Sequence, residues 1–217
     1  MLSRSPGSAS RIVTDMAFMI PWTSPRGWPV PGRGLRVRMT AMSDLQRDGV
    51  IFRQATEDDV PALVALYDGA ARWMQRHGID QWKPGQKSED HFLLRMKEGE
   101  VWLADTGAAA PVGGWELWWD DEPAWGPQPP VAGYIHRLMT DRATAPPNLG
   151  RAMLTHAEHR ITRTGRTLSR LDCVSTNPRL RAYYESAGYT VTGEQPLKDG
   201  GKGSRYAVTL LEKRLVD

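Results

Sequence analysis

The chain has 217 residues, of which 40% are apolar and 24% are charged, and its net charge is +3. This is the composition of an ordinary globular protein with one large or two small domains. The single cysteine, Cys173, excludes an internal disulfide and a zinc-finger spacing, so a reducing, cytoplasmic compartment is expected.

The amino-terminal region differs in composition from the rest of the chain. Its first fifty residues contain five Gly, five Pro, seven Arg and three Asp, a net charge of +4. Because the whole chain carries +3, the other 167 residues carry −1. Residues 1–48 are therefore predicted to form a disordered basic tail, and residues 49–217 one folded domain. A nearly neutral domain predicts no nucleic-acid partner, although a basic arm that touches nucleic acid or anionic lipid is an alternative for the tail.

Two features of this region concern membranes and the start of the chain. The apolar stretch Met16–Trp22 is too short to cross a bilayer, so no membrane partner is expected. The segment that begins at Met42 directly precedes the first strand pattern. Met42 is therefore a candidate natural start, with residues 1–41 as an upstream extension.

The folded domain begins with a strand pattern followed by a helix pattern. Val50–Thr56 alternates as a strand does, and Thr56 with Asp59 forms a capping-box pattern that opens a helix. Apolar residues at helical spacing then continue to about Arg76, and Gly78 ends the helix.

A second helix and two strands are predicted next. Ser88 is the expected N-cap of a helix that ends near Lys97. Strand patterns cover residues 100–106 and 111–121, and tryptophans on both faces of the second strand predict that both faces are covered. Residues 120–130 are rich in proline and acidic residues, which predicts a loop able to overhang a site as a lid.

The central stretch, residues 131–150, combines an apolar-rich strand, a short loop and a helix start. Alternation places His136 and Leu138 on one face of the strand and Met139 on the other. Two prolines end the strand, and Asn148 is the predicted N-cap of the helix. This helix start is expected to present free N–H groups near Leu149, Gly150 and Arg151, at the positive end of the helix dipole. These groups predict a phosphate site, and an ordinary strand-loop-helix unit is the alternative.

The rest of the chain reads as strand, helix, strand and strand. Leu168–Val174 predicts a strand, and Asn177–Ala187 predicts a helix. Residues 189–194 and 204–215 predict the last two strands, with residues 198–203 as the hairpin connection.

The central stretch, residues 131–150, and the later strand and helix, residues 168–189, together resemble the GNAT superfamily of acyl-CoA-dependent N-acyltransferases. In that family a strand ending in an L-x-V-like triplet is followed by four residues and then by Q/R-x-x-G-x-G/A, which wraps the pyrophosphate of coenzyme A. Residues 138–140 take the place of the triplet and residues 145–150 fill the motif, with Ala145 and Asn148 replacing the usual Gln or Arg and the first glycine. The pattern N-x-x-L-x-x-Y-Y-E-x-x-G-Y, Asn177–Tyr189, matches the family's later helix and strand.

The resemblance covers roughly residues 51–212 and implies an α/β (α+β) fold. This fold is a mixed, mostly antiparallel sheet of six to seven strands with helices on both faces. Its central parallel pair, expected at residues 131–140 and 168–174, splays apart to admit the acyl-pantetheine arm. Acetyl-CoA is the implied cosubstrate, and no metal is implied. The implied coenzyme-binding residues are Leu138, Met139, Thr140, Asn148, Leu149, Gly150, Arg151, Asn177 and Tyr184.

The resemblance also implies catalytic roles. Tyr184 occupies the position of the family's proton donor to the coenzyme A sulfur, and a phenol with an ordinary pKa of about 10 can protonate a thiolate. The base is open between His136, Glu116 and a chain of waters, and a hydrogen-bonded core role is the alternative for His136. A main-chain N–H near Met139 is expected to polarise the thioester carbonyl.

The implied activity is direct transfer of an acetyl group to a primary amine, preferably of a small molecule. In the family, the region after the first strand forms a wall of the acceptor pocket, which indicates Trp73 and Trp82 as lining residues and Asp80 as a contact for a cation. Trp118, on the predicted strand of residues 111–121, is a further expected substrate-binding residue. Packing of the tryptophans and an aromatic face that forms a homodimer are alternatives. Alternative functions are acetylation of a protein N-terminus or lysine, and a catalytically silent acyl-CoA-binding module, motivated by the two departures from the loop motif.

Overall fold

A computed structural model describes residues 46–47, 49–199 and 205–215. The predicted tail, apart from Gln46 and Arg47, and the expected start at Met42 lie outside these residues. The strands are β1 Gln46–Arg47, β2 Val50–Gln54, β3 Glu100–Asp105, β4 Gly113–Trp118, β5 Ala132–Thr140, β6 Leu168–Val174, β7 Thr190–Asp199 and β8 Arg205–Arg214. The helices are α1 Val60–Arg76, α2 Glu89–Glu98, α3 Glu122–Trp125, α4 Leu149–Arg163 and α5 Pro178–Glu185.

The described strands form one sheet in the order β1-β2-β3-β4-β5-β6-β8-β7. Strands β5 and β6 run parallel, and the other neighbours run antiparallel. Because β1 has only two residues, the remaining seven strands correspond to the six to seven that the sequence predicts. The mixed, mostly antiparallel fold with a central parallel pair is therefore confirmed.

Helices cover both faces of the sheet, as predicted. Helices α1 and α2 cover one face, called here the α1 face, and helices α4 and α5 cover the other, called the α4 face. The core of the α1 face consists of Val60, Leu63, Leu66, Tyr67, Ala71, Phe92, Val101, Leu103 and Met139. The core of the α4 face includes Phe52, Trp115, Leu117, Ile135, Met153, Ile161, Leu171, Cys173 and Tyr184. None of the described helices is both long and apolar enough to cross a bilayer.

The parallel pair opens into a fork. Strands β5 and β6 pair from Ala132 opposite Leu168 to Ile135 opposite Leu171. Beyond these residues β5 follows β4 and β6 follows β8, so no further pairing between β5 and β6 is present in the described residues. His136 and Asp172 are therefore the first residues after the strands part. The predicted splay of the two central strands is confirmed.

A β-bulge in β5 changes which residues share a face. The register between β4 and β5 shifts at this point, and Arg137 adopts a left-handed φ of 48°. As a result Leu138 packs against the α4-face core, whereas Met139 packs against the α1-face core. The prediction that His136 and Leu138 share a face is wrong because it assumes unbroken alternation, which an extra residue interrupts.

Two predicted loops contain regular structure. Residues 120–130 include the short helix α3, which follows Asp121, so the prediction of a loop throughout is wrong. Strand β7 continues to Asp199, so Lys198 belongs to a strand and not to the hairpin connection. Both corrections matter because Asp121 and Lys198 extend polar side chains towards the fork, as described below.

Candidate active site

The start of α4 has the backbone geometry of a glycine-containing turn. Asn148 has a left-handed φ of 63° and its side chain makes no capping hydrogen bond. Asn148 is the N-cap residue, as predicted, although its side chain does not cap the helix. Asn is among the few non-glycine residues that tolerate this conformation, so it replaces the motif glycine without losing the turn.

The amides at this helix start are only partly free. The N–H of Leu149 donates to the Pro146 carbonyl at 3.3 Å, and that of Arg151 donates to the Asn148 carbonyl at 2.9 Å. These two were predicted to be free and are not. Within the described chain, the N–H groups of Asn148 and Gly150 have no protein acceptor. Two amides without a described acceptor at the positive end of α4 have a geometry that can hold an anion, such as a phosphate.

Close packing surrounds Gly150. A Cβ atom at this position would lie 2.8 Å from the Tyr183 hydroxyl oxygen and 3.8 Å from Cδ2 of Leu138. The Arg151 guanidinium does not extend over the helix start. It donates to Ser186 Oγ at 2.8 Å and lies 5.0 Å from the centre of the Tyr183 ring. A Cβ at Gly150 would therefore require the Tyr183 hydroxyl to shift, and the charge of Arg151 is directed to the end of α5.

Helix α5 supplies Tyr184 from the α4 face. Tyr184 is 8% exposed and packs in the same buried cluster as Cys173 of β6, the residue after the fork residue Asp172. Burial, with a smaller contribution from Cys173, raises the pKa of Tyr184 above its usual value, so the phenol keeps its proton at neutral pH. Among the described residues its hydroxyl has no hydrogen-bond partner. The predicted contact residue Asn177 caps α5 by accepting a hydrogen bond from Leu180 N–H at 3.1 Å.

On the α1 face, four ionisable side chains meet at the fork. His136 Nε2 lies 3.2 Å from Asp121 Oδ2, and its Nδ1 lies 3.9 Å from Asp172 Oδ1. Lys198 Nζ lies 2.5 Å from Asp172 Oδ1 and 3.7 Å from Asp121 Oδ2. Each carboxylate thus contacts both the imidazole and the ammonium. These four residues are called the fork cluster.

Asp121 is the least satisfied member of the fork cluster. It is 2% exposed, yet no described group makes a well-aligned hydrogen bond to either of its carboxylate oxygens. The 3.2 Å contact with His136 is close enough for an ion pair but poorly oriented for a hydrogen bond. Burial tends to raise the pKa of Asp121, but His136 and Lys198 outweigh this and lower it. A buried carboxylate with free lone pairs favours a further donor in the site.

Glu116 lies beside the fork cluster but is fully engaged. It is 0% exposed, and its carboxylate contacts Arg137 at 2.5 Å, Trp118 Nε1 at 3.0 Å and His91 Nε2 at 3.2 Å. Burial would raise the pKa of Glu116, but Arg137 and then His91 lower it to about 2. Such a carboxylate is a weak base, and its oxygens are already occupied.

The predicted acceptor-lining residues are not all brought together. Trp118 lies at the fork, with its ring 3.9 Å from that of His136. Trp82 stacks on Tyr67 at 4.9 Å beneath α1 and α2. Trp73 lines a separate cavity of about 360 Å³ beside the end of β5, and Asp80 is exposed and pairs with the neighbouring Lys83. Only Trp118 among these predicted residues is in contact with the fork cluster.

Sequence reasoning missed three members of the fork cluster. Asp172 carried a signal, since a carboxylate inside the apolar pattern of β6 indicates a partner or a function. Asp121 and Lys198 carried none, because each was assigned to a loop. Their side chains reach the fork only through α3 and the irregular pairing of β7 with β8.

Comparison with known proteins decides the family. The model of the acetyltransferase (GNAT) family matches residues 65–189, which is more than half of the chain. The chain belongs to this family. Acyl transfer is therefore its class of reaction, as the sequence predicts.

Individual GNAT relatives agree with this assignment. The uncharacterized N-acetyltransferase YesJ of Bacillus subtilis is 29% identical over 159 residues, which cover 67% of this chain and 84% of the relative. A GNAT-family acetyltransferase structure from Listeria monocytogenes is 26% identical with a TM-score of 0.62, and the match covers 76% of this chain and 95% of that one. The structure of yncA from Salmonella typhimurium, a putative acetyltransferase with its cofactor acetyl-CoA, has a TM-score of 0.56 at 18% identity and covers 78% and 96%. This last likeness concerns the fold alone.

Proposed function

We propose that this GNAT protein transfers an acetyl group from acetyl-CoA directly to a primary amine of a small molecule. The observation that carries the proposal is the fork between β5 and β6. Unpartnered amides and a buried phenol lie on the α4 side of this fork, and the fork cluster lies on the α1 side. A carrier and an acceptor can therefore meet between the strands from opposite faces.

The start of α4 fits the diphosphate of coenzyme A. The amides of Asn148 and Gly150 would hold phosphate oxygens, and the missing side chain at Gly150 lets the Tyr183 hydroxyl lie against the same helix start. The left-handed turn at Asn148 weakens one of the two reasons for a silent module, because this departure from glycine preserves the backbone conformation. The replacement of the usual Gln or Arg by Ala145 is the other reason and is tested by the assay below. When bound, acetyl-CoA supplies the activated acetyl group as a thioester.

Tyr184 is the proposed proton donor to the departing thiolate. Its phenol is protonated at neutral pH, and its hydroxyl has no protein hydrogen-bond acceptor in the described chain. Tyr183 is one residue away, but its hydroxyl lies against Gly150 near the proposed phosphate site. Tyr184 therefore acts at the sulfur end of the coenzyme.

His136 is the proposed base that accepts a proton from the acceptor amine. It is the first residue of β5 beyond the last pairing with β6, and its side chain is only 9% exposed. Asp121 and Asp172 flank its two ring nitrogens, so the positive charge that develops on the imidazole is stabilised. Glu116 is a poorer base since it is held ionised by Arg137 and His91, and it serves to position Arg137 and Trp118.

The acceptor proposed is a small primary amine on a slender carbon chain. Asp121 and Asp172 hold the ammonium of Lys198, which shows that the site accommodates an alkyl ammonium, and an acceptor amine would displace it there. The Trp118 ring forms an aromatic wall beside His136. Because the fork cluster is almost entirely buried, only a narrow group reaches it, which disfavours a bulky or branched amine.

Release of coenzyme A thiol tests the proposal. Purified protein is incubated with acetyl-CoA and pooled primary amines, and the free thiol and the N-acetylated products are measured. The expected result is amine-dependent thiol release that is lost in Tyr184→Phe and retained in Tyr183→Phe. Tight coenzyme binding without turnover across the amine pool would contradict the proposal and favour a silent module. Turnover with peptides but not with small amines would instead identify a protein acceptor.

A further inference from the structure

The ammonium of Lys198 is buried in the place where an acceptor amine is expected. Lys198 is 8% exposed, which is unusual for a lysine. Its Nζ lies 2.5 Å from Asp172 Oδ1 and 3.7 Å from Asp121 Oδ2. The same two carboxylates flank His136. A primary amine of this chain therefore already occupies the proposed site beside the proposed base.

The backbone of β7 directs Lys198 to this position. In the sheet, β8 lies between β7 and β6, so the Lys198 side chain crosses β8 to reach Asp172. The pairing of β7 with β8 is irregular between Gln195 and Lys198, and the regular pairing resumes with Lys198 opposite Tyr206. An irregularity of this kind re-aims a side chain and is a common device beside active sites.

We propose that Lys198 is a self-acetylation site, modified by the active site of its own chain. The inference rests on the proposed function, because it uses the same base, acid and coenzyme. It adds to that function a covalent modification of the protein, and it specifies the acceptor class as an unbranched alkyl ammonium like that of a lysine side chain.

The transfer balances without any further reactant. One proton leaves Lys198 Nζ for His136, and the nitrogen lone pair forms a bond to the carbonyl carbon of the acetyl thioester. The carbon–sulfur bond then breaks, its electron pair remains on sulfur, and the phenol of Tyr184 protonates that sulfur. His136 passes this first proton to solvent and then accepts the second proton that the amide nitrogen must lose, while solvent returns a proton to Tyr184, so the net change is the release of one proton. The products are N-acetylated Lys198 and free coenzyme A thiol.

Acetylation has a defined consequence for the fork cluster. The amide carries no charge, so the ion pairs of Lys198 with Asp172 and Asp121 are lost. The added acetyl group also fills the space that a free amine would enter.

The test is peptide mapping by mass spectrometry of the full chain. Acetyl occupancy is measured at Lys198 before and during incubation with isotopically labelled acetyl-CoA. Lys83 and Lys97 are exposed and serve as internal controls for spontaneous acetylation. Lys198 is expected to react at least about 100-fold faster than either control, in line with the contribution of a general base. Its rate per molecule is expected to be independent of protein concentration, since the reaction is intramolecular.

Two variants separate this inference from the proposed function. In His136→Gln, acetylation of Lys198 is expected to slow while that of Lys83 and Lys97 is unchanged. Lys198→Arg keeps a cation beside Asp172 but removes the acceptor amine. No other residue of this variant is expected to be acetylated as fast as Lys198 is in the wild type. If free amines are acetylated while Lys198 reacts no faster than the exposed lysines, the inference is overturned and the proposed function stands. If neither free amines nor Lys198 are acetylated, both are overturned.

Discussion

A methyl group at Gly150 is predicted to weaken coenzyme A binding without unfolding the protein. The added Cβ lies 2.8 Å from the Tyr183 hydroxyl oxygen, so Tyr183 must move, and the methyl crowds the free N–H of Gly150 itself. A hydrogen bond to a charged group contributes about 1.5–3 kcal/mol. Losing one such bond to a phosphate corresponds to a roughly 10- to 150-fold increase in Kd.

The stability of Gly150→Ala is expected to change little. Replacing a helical glycine by alanine favours the helix by about 0.5–1 kcal/mol, which offsets part of the cost of moving the flexible end of Tyr183. Gly69→Ala is the matched control, because Gly69 lies within α1 and no atom is within 4 Å of its added Cβ. This control is expected to raise the melting temperature and to leave coenzyme affinity unchanged.

Isothermal titration calorimetry with coenzyme A, combined with thermal unfolding, measures both quantities. Wild-type affinity in Gly150→Ala, with an unchanged melting temperature, would refute the assignment of the phosphate site to the start of α4. A loss of affinity in Gly69→Ala of the same size would show that the effect is not specific to this site.

Three further predictions concern single side chains. Tyr184→Phe is expected to lower kcat by about 10²- to 10⁴-fold with little change in the Kd of coenzyme A, whereas Tyr183→Phe retains kcat; equal effects would remove Tyr184 from its role. His136→Gln is expected to lower kcat by about 10²- to 10⁴-fold, and a loss of less than about tenfold would favour a water chain as the base. Burial among aromatic rings lowers the pKa of His156 from 6.5 to about 4, so the unfolded chain binds the proton more readily than the folded chain. The free energy of unfolding is therefore expected to decrease as the pH falls from about 6.5 to about 4. His156→Phe is expected to flatten this pH dependence in urea unfolding, and an unchanged slope would contradict the role of His156.

Local sequence patterns predicted most of the strands and helices because neighbouring patterns along the chain agreed with one another. The strand patterns, the capping box of Thr56 with Asp59 and the spacing from Leu138 to Gly150 correspond to elements that the structure contains. Features that depend on the pairing of distant segments were not predicted from the local sequence. The bulge at Arg137 moved Leu138 and Met139 to faces opposite those predicted, since strand alternation carries no information about an inserted residue.

The candidate site was predicted less completely than the fold. Tyr184, His136 and Gly150 were found because motif spacing and strand position identify them. The partners of His136 were missed because they come from distant segments whose side chains converge only in three dimensions. Trp73 and Asp80 were predicted at the acceptor pocket because the family forms a wall of that pocket from the region after the first strand. Trp73 instead lines a separate cavity, and Asp80 is exposed.

A coenzyme A thioester and an amine are proposed to meet at the fork between β5 and β6. Changes in nuclear magnetic resonance chemical shifts on titrating coenzyme A into isotopically labelled protein show where the coenzyme binds. The largest changes are expected at the amides of Asn148 and Gly150 and along β5 from His136 to Thr140, with small changes in β2 and β3. Changes confined to surfaces away from the fork, or no saturable change at Gly150, would contradict this proposal.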